Sequence, residues 1–221
     1  MLLYSILIMT SYSLTTTTGK PIDQLLDEIF ESKENGFFIE LGAHDGLTQS
    51  NTAFFEFHRG WKGVLIEPSQ SAFKLCVESR PNSFCFNKAC VSNTFSDEYV
   101  EGDFNGKLMS SVNGMRINNC ELMKVQASTL EAILDSIKPP SIDFLSIDTE
   151  GYEYEVLCGL NLRKYRPTYI LIEVYITQYD LIIKFLEENN YKLVCNLTNY
   201  NTVNNCLWDG THNDYLFVDI S

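Results

Sequence analysis

The run Phe37-Phe38-Ile39-Glu40-Leu41 passes directly into Gly42-Ala43-His44-Asp45-Gly46, and twenty-one residues beyond Gly46 a second run, Gly63-Val64-Leu65-Ile66, ends on Glu67. A chain with this pattern places a buried strand before a glycine turn and tips the next strand with a carboxylate. Glycine lets backbone approach a ligand closely, and a strand-end acid accepts hydrogen bonds from both hydroxyls of a ribose. The spacing is close to that of a dinucleotide-binding unit, but the glycines do not follow Gly-x-Gly-x-x-Gly, and there is no Gly-Lys-Ser/Thr phosphate loop. A nucleoside without a phosphate chain fits better, and S-adenosylmethionine is the expected cofactor.

Periodicity along the rest of the chain predicts alternating helices and strands. Ile22 to Phe30 carries apolar residues at helical spacing, and a helix covering Thr52 to Phe57 follows the glycine turn. Further helices are expected over 71–78, 151–160 and 177–189. Further strands are expected over 83–91, 142–148, 168–174, 191–196 and 215–220. Ser128-Thr129-Leu130-Glu131 reads as a capping box that opens a helix to Ile137, which Pro139-Pro140 ends. Residues 93–125 show no clear period and read as irregular. Such alternation predicts a Rossmann-like α/β fold: a doubly wound, mostly parallel sheet with helices on both faces, three layers in all. The last two strands lack an intervening helix, so the final strand is expected to pair antiparallel at one edge. Ligands bind such sheets at the carboxyl ends of the strands. Residues 42–50, 67–70, 148–152 and 173–177 should share that rim, with loop 197–214 above it.

Composition narrows the partners. The net charge is −13 and the pI about 4.6, which disfavours nucleic acid because phosphate neutralisation requires a basic surface. The seven cysteines form no Cys-x-x-Cys pair, so a reducing, cytoplasmic setting is expected and no metal set is assigned from them. The apolar segment Met1 to Met9 is too short for a stable membrane span and lacks the basic start of a secretory signal. It reads as a strand or packing arm, with a signal peptide as the alternative. Residues 1–21 then form an arm and linker ahead of one domain over 22–221.

Four motifs in order resemble those of the FkbM-type methyltransferases: Glu40-Leu41-Gly42-Ala43-His44-Asp45-Gly46, Ile66-Glu67-Pro68, Ile142 to Glu153 with Asp148-Thr149-Glu150-Gly151 at its centre, and Ile170-Leu171-Ile172-Glu173. The similarity covers roughly residues 35–220. It implies a Rossmann-like, S-adenosylmethionine-dependent O-methyltransferase acting on a sugar or another small hydroxylated metabolite. Where family members usually carry Asn in the first turn, this chain has His44.

The resemblance and the residues together select candidates. Glu40, Gly42, His44, Asp45, Gly46, Glu67, Pro68 and Asp148 are expected around the cofactor, with Glu67 on the ribose diol. Asp45 could face the ligand or cap the following helix, and His44 could move a proton or fill space beside the ligand. The carboxylates of Asp148 and Glu150 suit a methionine amino group, an acceptor hydroxyl or a hard cation, and the resemblance favours the first two. Glu173, His212 and Glu150 are the catalytic candidates, with Glu173 or His212 as general base. Trp208, in the same loop as His212, offers an aromatic face. Two other readings are a binding module that does not turn over and a nicotinamide-dependent oxidoreductase. The absence of both Gly-x-Gly-x-x-Gly and a helical Tyr-x-x-x-Lys pair weighs against the second.

Overall fold

The computed structural model describes residues 13–105, 122–206 and 208–221. The arm expected over residues 1–9 lies outside them, as does much of the segment expected to be irregular. Seven strands form one sheet: β1 (Phe37–Leu41), β2 (Lys62–Ile66), β3 (Phe84–Phe86), β7 (Phe144–Ile147), β8 (Tyr169–Tyr175), β9 (Tyr191–Asn196) and β10 (His212–Asp219). Their spatial order is β3-β2-β1-β7-β8-β10-β9. Strands β3 through β8 in that order pair parallel, whereas β10 is antiparallel to both β8 and β9. The antiparallel strand is therefore inserted one place in from the edge, and β9 occupies the edge expected for β10.

Strand side chains alternate between faces, which divides the core into two layers. Ile39, Val64, Leu145 and Ile172 meet helices α4 (Leu130–Ile137), α5 (Glu153–Cys158) and α6 (Tyr179–Glu188). Phe38, Leu65, Phe144 and Leu171 point the other way, onto α1 (Ile22–Ile29), α2 (Ala53–Arg59) and α3 (Gln70–Ser79). β1, β2, β7 and β8 run apolar on both faces because both faces are covered. No helix among the described residues is long and apolar enough to cross a membrane.

Three local expectations are corrected. Residues 83–91 do not form one strand. The chain breaks at Asn87, whose amide donates to the carbonyls of Glu67 and Pro68, and β4 (Ala89–Cys90) leaves for a second sheet. That sheet, ordered β4-β6-β5, contains β5 (Tyr99–Gly102), from the stretch read as irregular, and β6 (Met123–Ser128), which starts within it. Its small apolar cluster of Val91, Val100, Phe104 and Val125 is assembled from residues distant in sequence, so no local period announces it. The cap of α4 is Thr129, which accepts from the Ala132 amide, while Ser128 still belongs to β6.

Candidate active site

The first turn is built by hydrogen bonds to side chains. At Gly42 the backbone is left-handed (φ +76°), and a Cβ there would lie 1.9 Å from the Asp148 carbonyl oxygen. The end of β1 thus presses against the end of β7, and only glycine allows the contact. Gly42→Ala is expected to cost about 1–3 kcal/mol through overpacking in addition to left-handed strain. Thermal melting measures that loss, and S-adenosylhomocysteine titration should show weakened binding alongside it.

Glu40 turns away from the rim. Its carboxylate accepts from the Ser50 and Thr52 hydroxyls at 2.8 and 2.6 Å and from the Asn51 amide at 2.8 Å, and Arg80 lies 3.8 Å away. Asp45 caps the turn itself, accepting from the amides of Leu47 and Thr48 and from the Thr48 hydroxyl. Burial alone would raise its pKa, but these bonds and the His44 ring lower it. The helix after the turn begins at Ala53, too far along the chain for Asp45 to cap it. Gly46 is held from below by Arg80, whose Nη1 donates to its carbonyl at 2.9 Å.

Glu67 follows β2 and is buried. Its Oε2 accepts from the His44 amide and its Oε1 from the Ser69 amide, at 2.8 and 2.7 Å. Burial raises its pKa, and the two amide bonds oppose the rise. The same acid thus ties the two glycine-turn and strand-end motifs together. Above it opens a cavity of about 400 Å³, within the size range of small-ligand sites. Gly42, His44, Glu67, Pro68, Asp148, Glu150, Glu173 and His212 all line it, together with Thr149, Tyr152, Lys88 and Phe104. Glu40, Asp45 and Gly46 are absent from that lining. A cavity of this size, with the glycine turn and a buried strand-end carboxylate side by side in its wall, suits a nucleoside.

The far wall is acidic. Residues 212–214 were expected in a loop, but they open β10, so His212 pairs with Tyr175 and Asp214 with Glu173 across the ladder. Residues with even numbers on β10 and odd numbers on β8 therefore share one face. His212 reaches diagonally to Glu173, Nε2 to Oε1, at 3.1 Å, and the Thr211 hydroxyl lies 2.8 Å from its Nδ1. Glu173 Oε2 is buried and has no hydrogen-bond partner among the described residues. The Tyr175 hydroxyl donates to Glu150 Oε2 at 2.8 Å. Trp208 does not line the cavity; its indole N–H donates to the His212 carbonyl and ties the loop to the strand.

Burial and neighbouring acids raise the pKa of several carboxyls here. Burial raises the Glu173 pKa well above its ordinary value, and Asp148, Glu150, Asp214 and Glu153 push it further. Burial pushes Asp214 up to about 7, with Asp148 adding to it. Glu153 also rises to about 7 through burial, although its Oε1 accepts from the amides of Thr149 and Gly151. Between about pH 4 and 7 the folded chain thus binds more protons at Asp214 and Glu153 than the unfolded chain, and stability falls as pH rises through that window. The melting temperature is expected to drop by several degrees between about pH 5 and 8, and Asp214→Asn should flatten the slope.

Residues 40–193 match the methyltransferase FkbM domain. No curated protein sequence matches the chain. Among solved structures the fold is similar to that of Aeropyrum pernix fibrillarin, determined in complex with natively bound S-adenosyl-L-methionine. That similarity has a TM-score of 0.50 at 13% identity and covers 84% of this chain and 67% of that one. Precorrin-6y C5,15-methyltransferase from Geobacter metallireducens is also similar, with a TM-score of 0.50 at 10% identity over 89% of this chain and 87% of that one. Such low identities speak for the fold, whereas the domain match takes in all four strand-end motifs. The chain belongs to the FkbM methyltransferase domain family and is an S-adenosylmethionine-dependent methyltransferase.

Proposed function

We propose that this methyltransferase acts on oxygen, transferring the methyl group to a hydroxyl of a sugar or another small hydroxylated metabolite. The observation that carries this reading is the contact of buried Glu173 with His212, facing the cofactor cavity beside Asp148 and Glu150. A sugar hydroxyl is a weak acid, so a base beside it has work to do, and a wall of carboxylates offers acceptors for neighbouring hydroxyls.

In this reading Glu67 holds the ribose hydroxyls, Gly42 and His44 supply the backbone beneath the adenosyl group, and Pro68 flanks it. Asp148 stands where the methionine end of the cofactor meets the acceptor side. Glu40, Asp45 and Gly46 shape the turn without reaching the cavity. The cofactor supplies a methyl group already activated by its sulfonium. The residues of the acceptor side therefore align the attacking oxygen, exclude water and take one proton. Glu173 and His212 take it as a pair, since the 3.1 Å contact lets them share it. Glu150, held by Tyr175, orients the acceptor.

Incubation with methyl-labelled S-adenosylmethionine and a panel of glycans, nucleotide sugars and hydroxylated metabolites tests this, with mass spectrometry locating the label. Label on oxygen is expected. Label confined to nitrogen or carbon acceptors would remove the reading.

A further inference from the structure

We propose that Asp148, Glu150 and Glu173 form a binding site for one hard divalent cation, of the magnesium or manganese kind, on the acceptor wall of the cavity. One carboxylate oxygen from each lies within 4.8 Å of the others, a separation that a single ion can span. Three residues from the ends of two neighbouring strands converge there, and all three line the cavity.

An independent observation points to a missing ligand. Glu173 is only 5% exposed, yet its Oε2 has no hydrogen-bond partner among the described residues. A buried carboxylate oxygen with no donor is costly, and a cation at this position satisfies it. The other oxygen, Oε1, is already held by His212, and Glu150 is held through its Oε2 by the Tyr175 hydroxyl. A donor that fixes one oxygen of Glu173 while the other stays unsatisfied is the outer support expected of a metal site.

Charge supports the same conclusion. Asp214 stands opposite Glu173 in the ladder, and Glu153 adds a further carboxyl to its field. Among the described residues, the cationic side chains lining the cavity are Lys88 and, when protonated, His44 and His212. An all-oxygen donor set selects a hard ion over zinc or copper. Three protein oxygens also leave coordination positions open, which suits an acceptor that presents two adjacent hydroxyls. Glu173 ligates through Oε2 and keeps Oε1 on His212. The proton of a cation-bound hydroxyl then passes to His212, the oxygen bonds to the methyl carbon, and the carbon–sulfur bond breaks with its electrons on sulfur. This acceptor role rests on the oxygen-methylation reading above, whereas the cation site does not.

Manganese titration of chelator-treated protein, followed by electron paramagnetic resonance, tests the site without acceptor or turnover. One bound Mn²⁺ per chain is expected, displaced by Mg²⁺ and retained when S-adenosylhomocysteine is present. Asp148→Asn and Glu173→Gln should each weaken binding by at least about tenfold. They should also abolish the rise in melting temperature that Mn²⁺ gives the unaltered protein. No binding at millimolar Mn²⁺ overturns the proposal, as does undiminished binding in both variants. Displacement by S-adenosylhomocysteine overturns it too, because the three acids then serve the methionine ammonium. Protein that binds Mn²⁺ but methylates no hydroxyl leaves the site standing and overturns the oxygen-acceptor reading alone.

Discussion

Glu173→Gln is expected to lower the methyl-transfer rate by about 10²–10⁴-fold, the range lost when a positioned general base is removed. The glutamine amide is nearly the same size and keeps an oxygen for His212, so the cavity wall should survive the change. S-adenosylhomocysteine affinity should therefore stay close to that of the unaltered protein, and the loss should appear in kcat at saturating cofactor. The substitution also removes a carboxyl whose ionisation burial and four neighbouring acids make costly. Melting temperature at neutral pH should accordingly hold or rise, which separates lost chemistry from lost folding. An unchanged rate would show that the proton leaves by another route and would end the role assigned to Glu173.

Arg80→Met should cost about 3–5 kcal/mol of stability, the usual penalty for removing one member of a buried ion pair. Arg80 is wholly buried beneath the cofactor turn. Its Nε donates to Glu56 at 2.8 Å, Nη1 to the Gly46 carbonyl and the Ser50 hydroxyl, and Nη2 to the Thr52 hydroxyl. Methionine fills much of the space but leaves Glu56 and Glu40 buried without their cation. Urea denaturation measures the cost. At roughly 2–4 °C per kcal/mol for a chain of this size, the melting temperature should fall by about 6–20 °C. The Gly46 carbonyl also loses its anchor, so cofactor affinity should drop with stability. Adding Glu56→Leu should recover part of the loss, because the two residues act as one unit. A fall under about 1 kcal/mol would mean that water takes over the role of the guanidinium.

Elements with a strong local period were legible from the residues. β1, β2, β7 and β8 announce themselves as apolar runs because helices cover both faces, and β9 was read with its observed limits. The second sheet was not legible. β4 has two residues, and β5 pairs with β6 across a span of chain that carries no repeating pattern. The start of β10 was missed for a different reason. His212, Asn213 and Asp214 have weak strand propensity, and only the ladder with β8 makes them extended. Arg80 gave no local sign, since Glu40, Gly46, Ser50, Thr52 and Glu56 lie well before it in the chain. Tyr175 could have been found, because it shares a strand face with Glu173 two residues earlier.

The residues alone determined the sheet, the glycine turn and the strand-end acids, because each depends on neighbours within a few positions along the chain. They therefore also determined the family and its cofactor. Tertiary structure decided which of those acids face the cavity and which hold up its floor. Glu40 and Glu67 both flank the first turn motif and both carry a carboxylate. One is sealed under the turn by Ser50, Asn51 and Thr52, and the other lines the cavity. Strand register likewise joined His212 to Glu173 across thirty-nine residues of chain. Side-chain direction and register follow from packing between segments far apart in sequence, and no local pattern encodes them.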